Sequence, residues 1–350
     1  MKKIRIDGRL LGVGEPTFIV AEIGVNHNGS VHMARKLIDA AKDAGADSVK
    51  FQSFKTERIV TKYAEKAVYQ KETTDPKKSQ YSMLKRLELG NAEMEELHRY
   101  AKKRNIIFLS SAFDEESVDL LDSLDVPAFK VASGEITNLP LLRYMAEKKR
   151  PMILSTGLST LDEIKEALEV ITKEGVEEII LLHCVTSYPA KEEEANLKVM
   201  DLLRRQFGFP VGFSDHTLGI TVSIAAAALG AVFIEKHFTL DRTLPGPDHR
   251  ASLEPTEFKE MVKGIREVEK ALGDGMKRLT ANEEEIKKAA RRSIVAKTRI
   301  RKGTIIRENM VDFKRPGTGL EPKNLCKIIG RRTKKDIEPD ELITFEKLLG

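Results

Sequence analysis

VGFSDHTLGITVSIAAAALGAVFIEKHFT (211–239) holds two apolar runs, and each ends in a histidine, His216 and His237. Between them, Gly219 to Ile234 carries no charge, and Gly230 splits that segment into a helix-like and a strand-like half. The segment is shorter than the ~20 residues needed to cross a bilayer. It reads as strand, helix, strand, which implies parallel strands joined by a right-handed crossover. Neighbouring parallel strands end on the same side of a sheet, so the two histidines face one common mouth.

The same alternation runs upstream. Short apolar runs stand at FIVAEIG (18–24), SVKFQSF (48–54), IIFLSSA (106–112), AFKVASG (128–134), PMILSTG (151–157) and IILLHCV (179–185), followed by PVGFSDH (210–216) and AVFIEKH (231–237). Helix-periodic stretches lie between them, such as LDEIKEALEVITKEG, which Ser159 or Thr160 would cap. Eight strand–helix units predict a closed (β/α)8 TIM barrel within α/β proteins, and no GxGxxG follows the first strand. The long insert 55–90 after the second strand predicts a helical excursion at the mouth. After about Asn282 the pattern changes to short β-like runs with turns at Lys302-Gly303 and Pro316-Gly317. This predicts a barrel domain over residues 1–281, then a charged linker and a small β-rich domain over 282–350.

The 350 residues are 41% hydrophobic and 32% charged, which describes a folded globular chain. The formal charge of +5 is spread along the sequence, with no basic block to serve as a nucleic-acid arm, and no membrane partner is expected. Two cysteines without a CxxC pair, and Arg5, Asp7 and Arg9 where a signal peptide needs an apolar core, predict a reduced, cytoplasmic protein.

In such a barrel the strand C-termini line the site. They carry Glu22 with Asn26 and His27, Lys50 with Gln52, Ser110 with Ser111, and Lys130 with Ser133 and Glu135. The later ends carry Ser155 and Thr156; His183, Thr186 and Tyr188; Ser214, Asp215 and His216; and Glu235 and His237. Two neutral imidazoles side by side, with no cysteine expected close to them, suit Mn²⁺, Fe²⁺, Co²⁺ or Zn²⁺ with positions open to water and substrate. Lys50, Lys130 and the serines Ser133, Ser155 and Ser214 suit a phosphate, a carboxylate, or both on one small molecule.

The segments AEIGVNHNGS, VKFQSF, KVASGEITNLPLL, LSTG, LLHCVTSYP, GFSDHTLG, EKHFTLDRTLPGPDHRASLEP and KRPGTG, in this order over nearly the whole chain, resemble the sialic acid (N-acetylneuraminate) synthases. The resemblance implies a TIM barrel followed by an antifreeze-like (SAF) domain, and a domain-swapped homodimer. It implies condensation of phosphoenolpyruvate with an N-acetylated hexose such as N-acetylmannosamine. It also implies a divalent metal, with Mn²⁺ expected and Mg²⁺ or Co²⁺ as alternatives. By the same resemblance His216 and His237 are metal ligands. Lys50, Lys130, Ser133, Ser155 and Ser214 contact phosphoenolpyruvate, as does Thr186, which stands where some relatives carry asparagine, and Ser111 is a further substrate-binding residue. Glu22, Gln52, Tyr188 and Asp248 line the substrate region, Glu135 meets the sugar, and Arg315 in KRPG reaches the partner's site. Glu22, Glu135, Lys50, Asp248 and Arg315 are the candidates for catalysis. A legionaminic or pseudaminic acid synthase, a metal-dependent aldolase or a sugar-phosphate isomerase on the same barrel remain alternatives.

Overall fold

The computed structural model describes residues 2–349. An antiparallel hairpin, β1 (Ile4–Ile6) and β2 (Arg9–Leu11), precedes eight strands: β3 (Phe18–Gly24), β4 (Ser48–Ser53), β5 (Ile107–Ala112), β6 (Phe129–Val131), β7 (Met152–Ser155), β8 (Ile179–Cys184), β9 (Val211–Asp215) and β10 (Phe233–His237). These close into a barrel in which β10 pairs with both β9 and β3, all strands parallel. Each of the eight apolar runs became one barrel strand. The helix Leu161–Lys173 starts at Thr160, whose Oγ1 accepts from the Glu163 amide at 3.3 Å while Glu163 Oε2 accepts from the Thr160 amide at 2.7 Å.

Side chains of a strand alternate between its two faces, and both faces here are covered. Ile19, Ala21 and Ile23 of β3 pack outward with the helices, whereas Phe18 and Val20 fill the barrel interior. The interior apolar layer joins Leu109, Ile153, Ile180, Leu182 and Phe233 to Ile4, Ile6 and Leu11 of the hairpin. The hairpin therefore closes the N-terminal end of the barrel with apolar side chains. The next inward positions along the strands are polar.

The same parity separates residues that the sequence had grouped. Ser110 points out and pairs with Ser53 (Oγ to Oγ 2.8 Å), while Ser111 points in. His183 also points out, its Nε2 donating to the Ala195 carbonyl at 2.7 Å. Asp215 lies outside the barrel with Lys236 at 2.9 Å, both side chains 0% exposed, and it also accepts from Thr217 and from the Ser223 hydroxyl at 2.6 Å. Asp215 and His183 thus serve the packing of the barrel.

The insert forms α2 (Thr56–Ile59), α3 (Val68–Thr73) and α4 (Gln80–Leu87), after α1 (Val31–Asp43). Contacts divide the chain into Met1–Gly273 and Asp274–Gly350. The second unit contains the charged helix Ala281–Ala290 and a two-stranded antiparallel sheet, β11 (Ser293–Ala296) with β12 (Val311–Lys314). Its own core gathers Ile294, Ile300, Ile306, Ile328, Ile337 and Ile343. Among the described residues, no helix is long and apolar enough to cross a membrane.

Breaking a buried ion pair leaves an uncompensated charge, at a cost of about 3–5 kcal/mol. Lys236→Met should therefore lower the unfolding free energy of the barrel, read from a urea titration, by that amount, and Asp215→Asn combined with Lys236→Met should recover part of it. A single variant within about 0.5 kcal/mol of the parent, the range of ordinary surface changes, would show that the pair does not hold β9 to β10.

Candidate active site

Above the apolar layer the strand register sets the polar side chains at one height. His237 is the register partner of Glu22, Glu22 of Lys50, Gln52 of Ser111, Ser111 of Lys130, Cys184 of Ser214 and Ser214 of Glu235. All face a cavity of about 370 Å³. Of the residues singled out from the sequence, Glu22, Lys50, Gln52, Ser111, Lys130, Ser133, Ser155, Thr186, Tyr188, Ser214, His216, His237 and Asp248 line it. Glu135 does not. It ends the 3-10 turn Ser133–Glu135, its Oε2 accepts from Asn138 at 2.9 Å, and burial raises its pKa. Arg315 belongs to the second unit, where it is exposed and its Nε donates to the Ala290 carbonyl at 2.9 Å.

The floor is a cluster of four buried charges. Lys50 lies 2.8 Å from Glu22 and 3.8 Å from Glu235, and Lys130 lies 3.8 Å from Glu235. Lys50 also donates to Ser111 at 3.0 Å and Lys130 to Ser155 at 2.7 Å. The two carboxyls differ in kind. Burial pushes Glu22 up to about 7, with Glu235 adding repulsion and Lys50 opposing. Burial would raise Glu235 too, but Lys130 and Lys50, with the Ser214 hydroxyl at 3.1 Å, hold it below the usual range. Burial also lowers Lys130, whereas its two carboxylate neighbours outweigh burial at Lys50 and raise it. The cluster thus holds one firm anion and one carboxyl that exchanges its proton near neutral pH.

Beside it stand the two imidazoles, with ring centroids 5.3 Å apart. His216 Nδ1 lies 2.8 Å from the Val185 carbonyl, which can only accept, so the Nδ1 proton is committed there and Nε2 is the nitrogen left for a ligand. His237 Nδ1 is buried without a hydrogen-bond partner, and burial, then the charge of His216, drives its pKa well down. A neutral imidazole with an unmatched nitrogen is the chemistry of a metal ligand. His237 therefore suits a divalent cation as it stands, whereas His216, its pKa pushed up to about 8 because Cys184 and the Val185 carbonyl outweigh burial, would give up its Nε2 proton to join it. Among the described residues no group of three or more His, Cys, Asp or Glu is placed to hold a metal. Water and substrate would complete the coordination. Asp248 Oδ2 lies 3.8 Å from His237 Nδ1, and burial pushes its carboxyl up to about 6.

Two features escaped the sequence reading. Cys184, expected to be remote from the imidazoles, faces inward on β8 with Sγ 3.7 Å from His216 Nδ1; its place two residues beyond Leu182 was the available signal. Glu235 was noted at a strand end but not as the centre of the charge cluster. The insert, read from the sequence as a helical excursion or lid at the mouth, supplies a wall with Tyr69, Gln70, Gln80, Met83 and Leu84, and Tyr69 stacks on Tyr188 at 5.1 Å.

Comparison with known proteins agrees with this geometry. The NeuB family matches residues 37–277 and the SAF domain residues 291–349. The N,N'-diacetyllegionaminic acid synthase of Campylobacter jejuni is 50% identical over 93% of this chain and 98% of its own. The human N-acetylneuraminate-9-phosphate synthase is 38% identical over 97% of this chain and 95% of its own. The crystal structure of the N-acetylneuraminic acid (sialic acid) synthetase of Leptospira borgpetersenii, in complex with citrate, superposes with a TM-score of 0.74 at 36% identity. It covers 81% of this chain and 95% of that one.

Gly157 tests the anion wall. A Cβ there would lie 2.2 Å from Thr186 Oγ1 and 2.7 Å from Ser133 Oγ, so both hydroxyls must move while the backbone needs no left-handed conformation. On the expectation from the sequence that Ser133 and Thr186 contact phosphoenolpyruvate, Gly157→Ala should weaken its binding about tenfold, the worth of one charge-assisted contact, with the melting temperature nearly unchanged. Unaltered affinity in a calorimetric titration would show that these hydroxyls do not touch the ligand.

Proposed function

This chain belongs to the NeuB family, and from that premise we propose that it joins phosphoenolpyruvate to the open-chain aldehyde of an N-acetylated hexose, giving a sialic-acid-type sugar and inorganic phosphate. The observation that carries this reading is the Glu22–Lys50–Glu235–Lys130 cluster lying beside two imidazoles at the mouth of one barrel. Lys50 and Lys130, with Ser111, Ser133, Ser155, Thr186 and Ser214, match a ligand that bears both a phosphate and a carboxylate. Gln52, Tyr188 and Asp248 face the space left for the acceptor, whereas Glu135, which the resemblance assigns to the sugar, does not line this cavity.

In the proposed reaction the methylene carbon of phosphoenolpyruvate bonds to the aldehyde carbon, whose oxygen takes up a proton. Water then adds to the cationic centre left at the second carbon and loses a proton, and the carbon–oxygen bond to phosphate breaks as the new hydroxyl passes its remaining proton to the departing phosphate and becomes the keto oxygen. Glu22, near neutral in pKa, is the group suited to hold a proton between these steps, and Asp248 is the second. Glu235, kept anionic, faces the developing positive charge. A divalent cation on His216 and His237, Mn²⁺ before Mg²⁺ or Co²⁺, would supply Lewis-acid polarisation of the aldehyde.

The finer reading is an N-acetylneuraminate synthase that takes N-acetylmannosamine. A second acceptor, the diacetamido hexose leading to N,N'-diacetyllegionaminic acid, is supported equally by the name of the 50% identical relative. The apolar side of the cavity, Val25, Met83, Leu84 and Phe113, also favours an acceptor with fewer hydroxyls. We infer too that the active form is a homodimer in which Arg315 from a second copy serves the barrel, a reading that rests on the resemblance of KRPGTG alone.

Phosphate release from phosphoenolpyruvate should require both an acceptor and a divalent cation, and the acceptor with the highest kcat/KM identifies the sugar. Release with no acceptor in the panel would overturn the proposal. Lys130→Ala should raise KM for phosphoenolpyruvate roughly ten- to a hundredfold, the worth of one charge-assisted contact, and leave that for the sugar nearly unchanged. Mixing Arg315→Ala chains with chains carrying His216→Ala and His237→Ala should restore part of the activity. Exchange of subunits without recovery would overturn the shared site.

A further inference from the structure

We propose that a second cavity, next to the catalytic one, is an anion site that takes a phosphate group. It encloses about 510 Å³ and shares Met83 and Pro247 as walls with the catalytic cavity. Its charged lining is mostly cationic, Lys66, Lys78 and Arg86 against the single carboxylate of Asp75, and Asn28, Thr73 and Thr74 are its neutral polar residues. Lys66 carries the argument. It is 5% exposed, yet among the described residues no carboxylate lies within ion-pairing distance of its ammonium. Two of its three donors go to Thr74 Oγ1, at 2.9 Å, and to the Asp75 carbonyl, which leaves one unmatched. A buried charge without a counter-charge is costly, and an anion in the cavity removes that cost. Arg86 adds a guanidinium with no carboxylate partner among the described residues, and Lys78 reaches Asp75 only at 3.9 Å. Three cations around one space suit a divalent anion with several oxygens, for which the planar fork of arginine is well matched; the hydroxyls of Thr73 and Thr74 are already committed as donors to the Tyr69 and Gln70 carbonyls.

Met83 and Pro247 border both cavities, so two sources of the phosphate are chemically equivalent. One is free inorganic phosphate. The other is a phosphoryl group at the far end of a substrate long enough to pass Met83. The inference needs neither the acceptor nor the metal named above.

The full chain, given one equivalent of phosphoenolpyruvate and no acceptor, should bind inorganic phosphate saturably in a calorimetric titration. Arg86→Ala, an exposed position that spares the fold, should weaken that binding roughly ten- to a hundredfold, and Lys66→Met should abolish it, with phosphoenolpyruvate affinity unchanged in Arg86→Ala. Phosphate binding that is absent in the parent, or equal in the parent and Arg86→Ala, overturns the site. A hexose 6-phosphate with a lower KM than the free hexose, an advantage lost in Arg86→Ala, assigns the anion to the substrate. No such advantage, with phosphate still bound, assigns it to the free ion. Failure of every acceptor to turn over would overturn the proposed reaction and leave this site standing, because the titration involves no turnover.

Discussion

The structure depends on the two-residue period of a strand inside a closed barrel. Every side chain of β3 to β10 has only two destinations, the helical shell or the barrel interior, and a shift of one residue would exchange them. The interior must then be filled without voids. Near the N-terminal end it is filled with Phe18, Val20, Leu109, Ile153, Leu182 and Phe233, sealed by the hairpin. Gly212 meets the same demand by subtraction, since a Cβ there would lie 2.4 Å from the Phe233 carbonyl. Only above this layer can polar groups gather, and there they must satisfy one another.

That requirement explains the arrangement of charge. Two ammonium groups taken out of water are tolerable only with compensating charge and hydrogen bonds. Glu22 and Glu235 provide the first, and Ser111 and Ser155 the second, while Ser214 donates to Glu235. The balance is not symmetrical. Glu235 stands between both lysines and stays ionised, while Glu22 has a single close cation and is pushed towards neutrality. A ligand bringing further negative charge to Lys50 and Lys130 meets a carboxyl able to take a proton, so the cluster can adjust its net charge without rearranging its backbone. The same physics makes the outward pair Asp215–Lys236 inert: fully enclosed and fully hydrogen-bonded, it has no access to a ligand.

The wall built by the insert has a different origin. Tyr69 stacks on Tyr188, which in turn lies 4.2 Å from His216 between ring centroids. A segment between strand and helix therefore reaches the rings that would hold the cation, and Met83 borders both the catalytic cavity and its cationic neighbour. Chemistry on strand ends and selectivity on an inserted segment is the division of labour that a barrel scaffold permits.

Much of this was legible in the sequence. The eight runs, the N-cap at Thr160, the helical insert and the polar strand ends all follow from local patterns, because periodicity and capping are properties of a few consecutive residues. The inward residues Lys50, Lys130, Ser155, Ser214, His216 and His237 were found this way, since apolar runs ending in polar groups announce their own direction. What the sequence could not decide was anything that needs two distant segments at once. Ser110 and Ser111 look alike until the pairing register turns one outward; His183 and Asp215 share strand ends with site residues yet face the shell. Cys184 enters the site only because β8 and β9 place it beside His216, and Lys66 becomes a buried, unpaired charge only when the insert folds over it. Period and propensity act along the chain, whereas register, charge partners and enclosure arise between segments, and only closure of the barrel settled them.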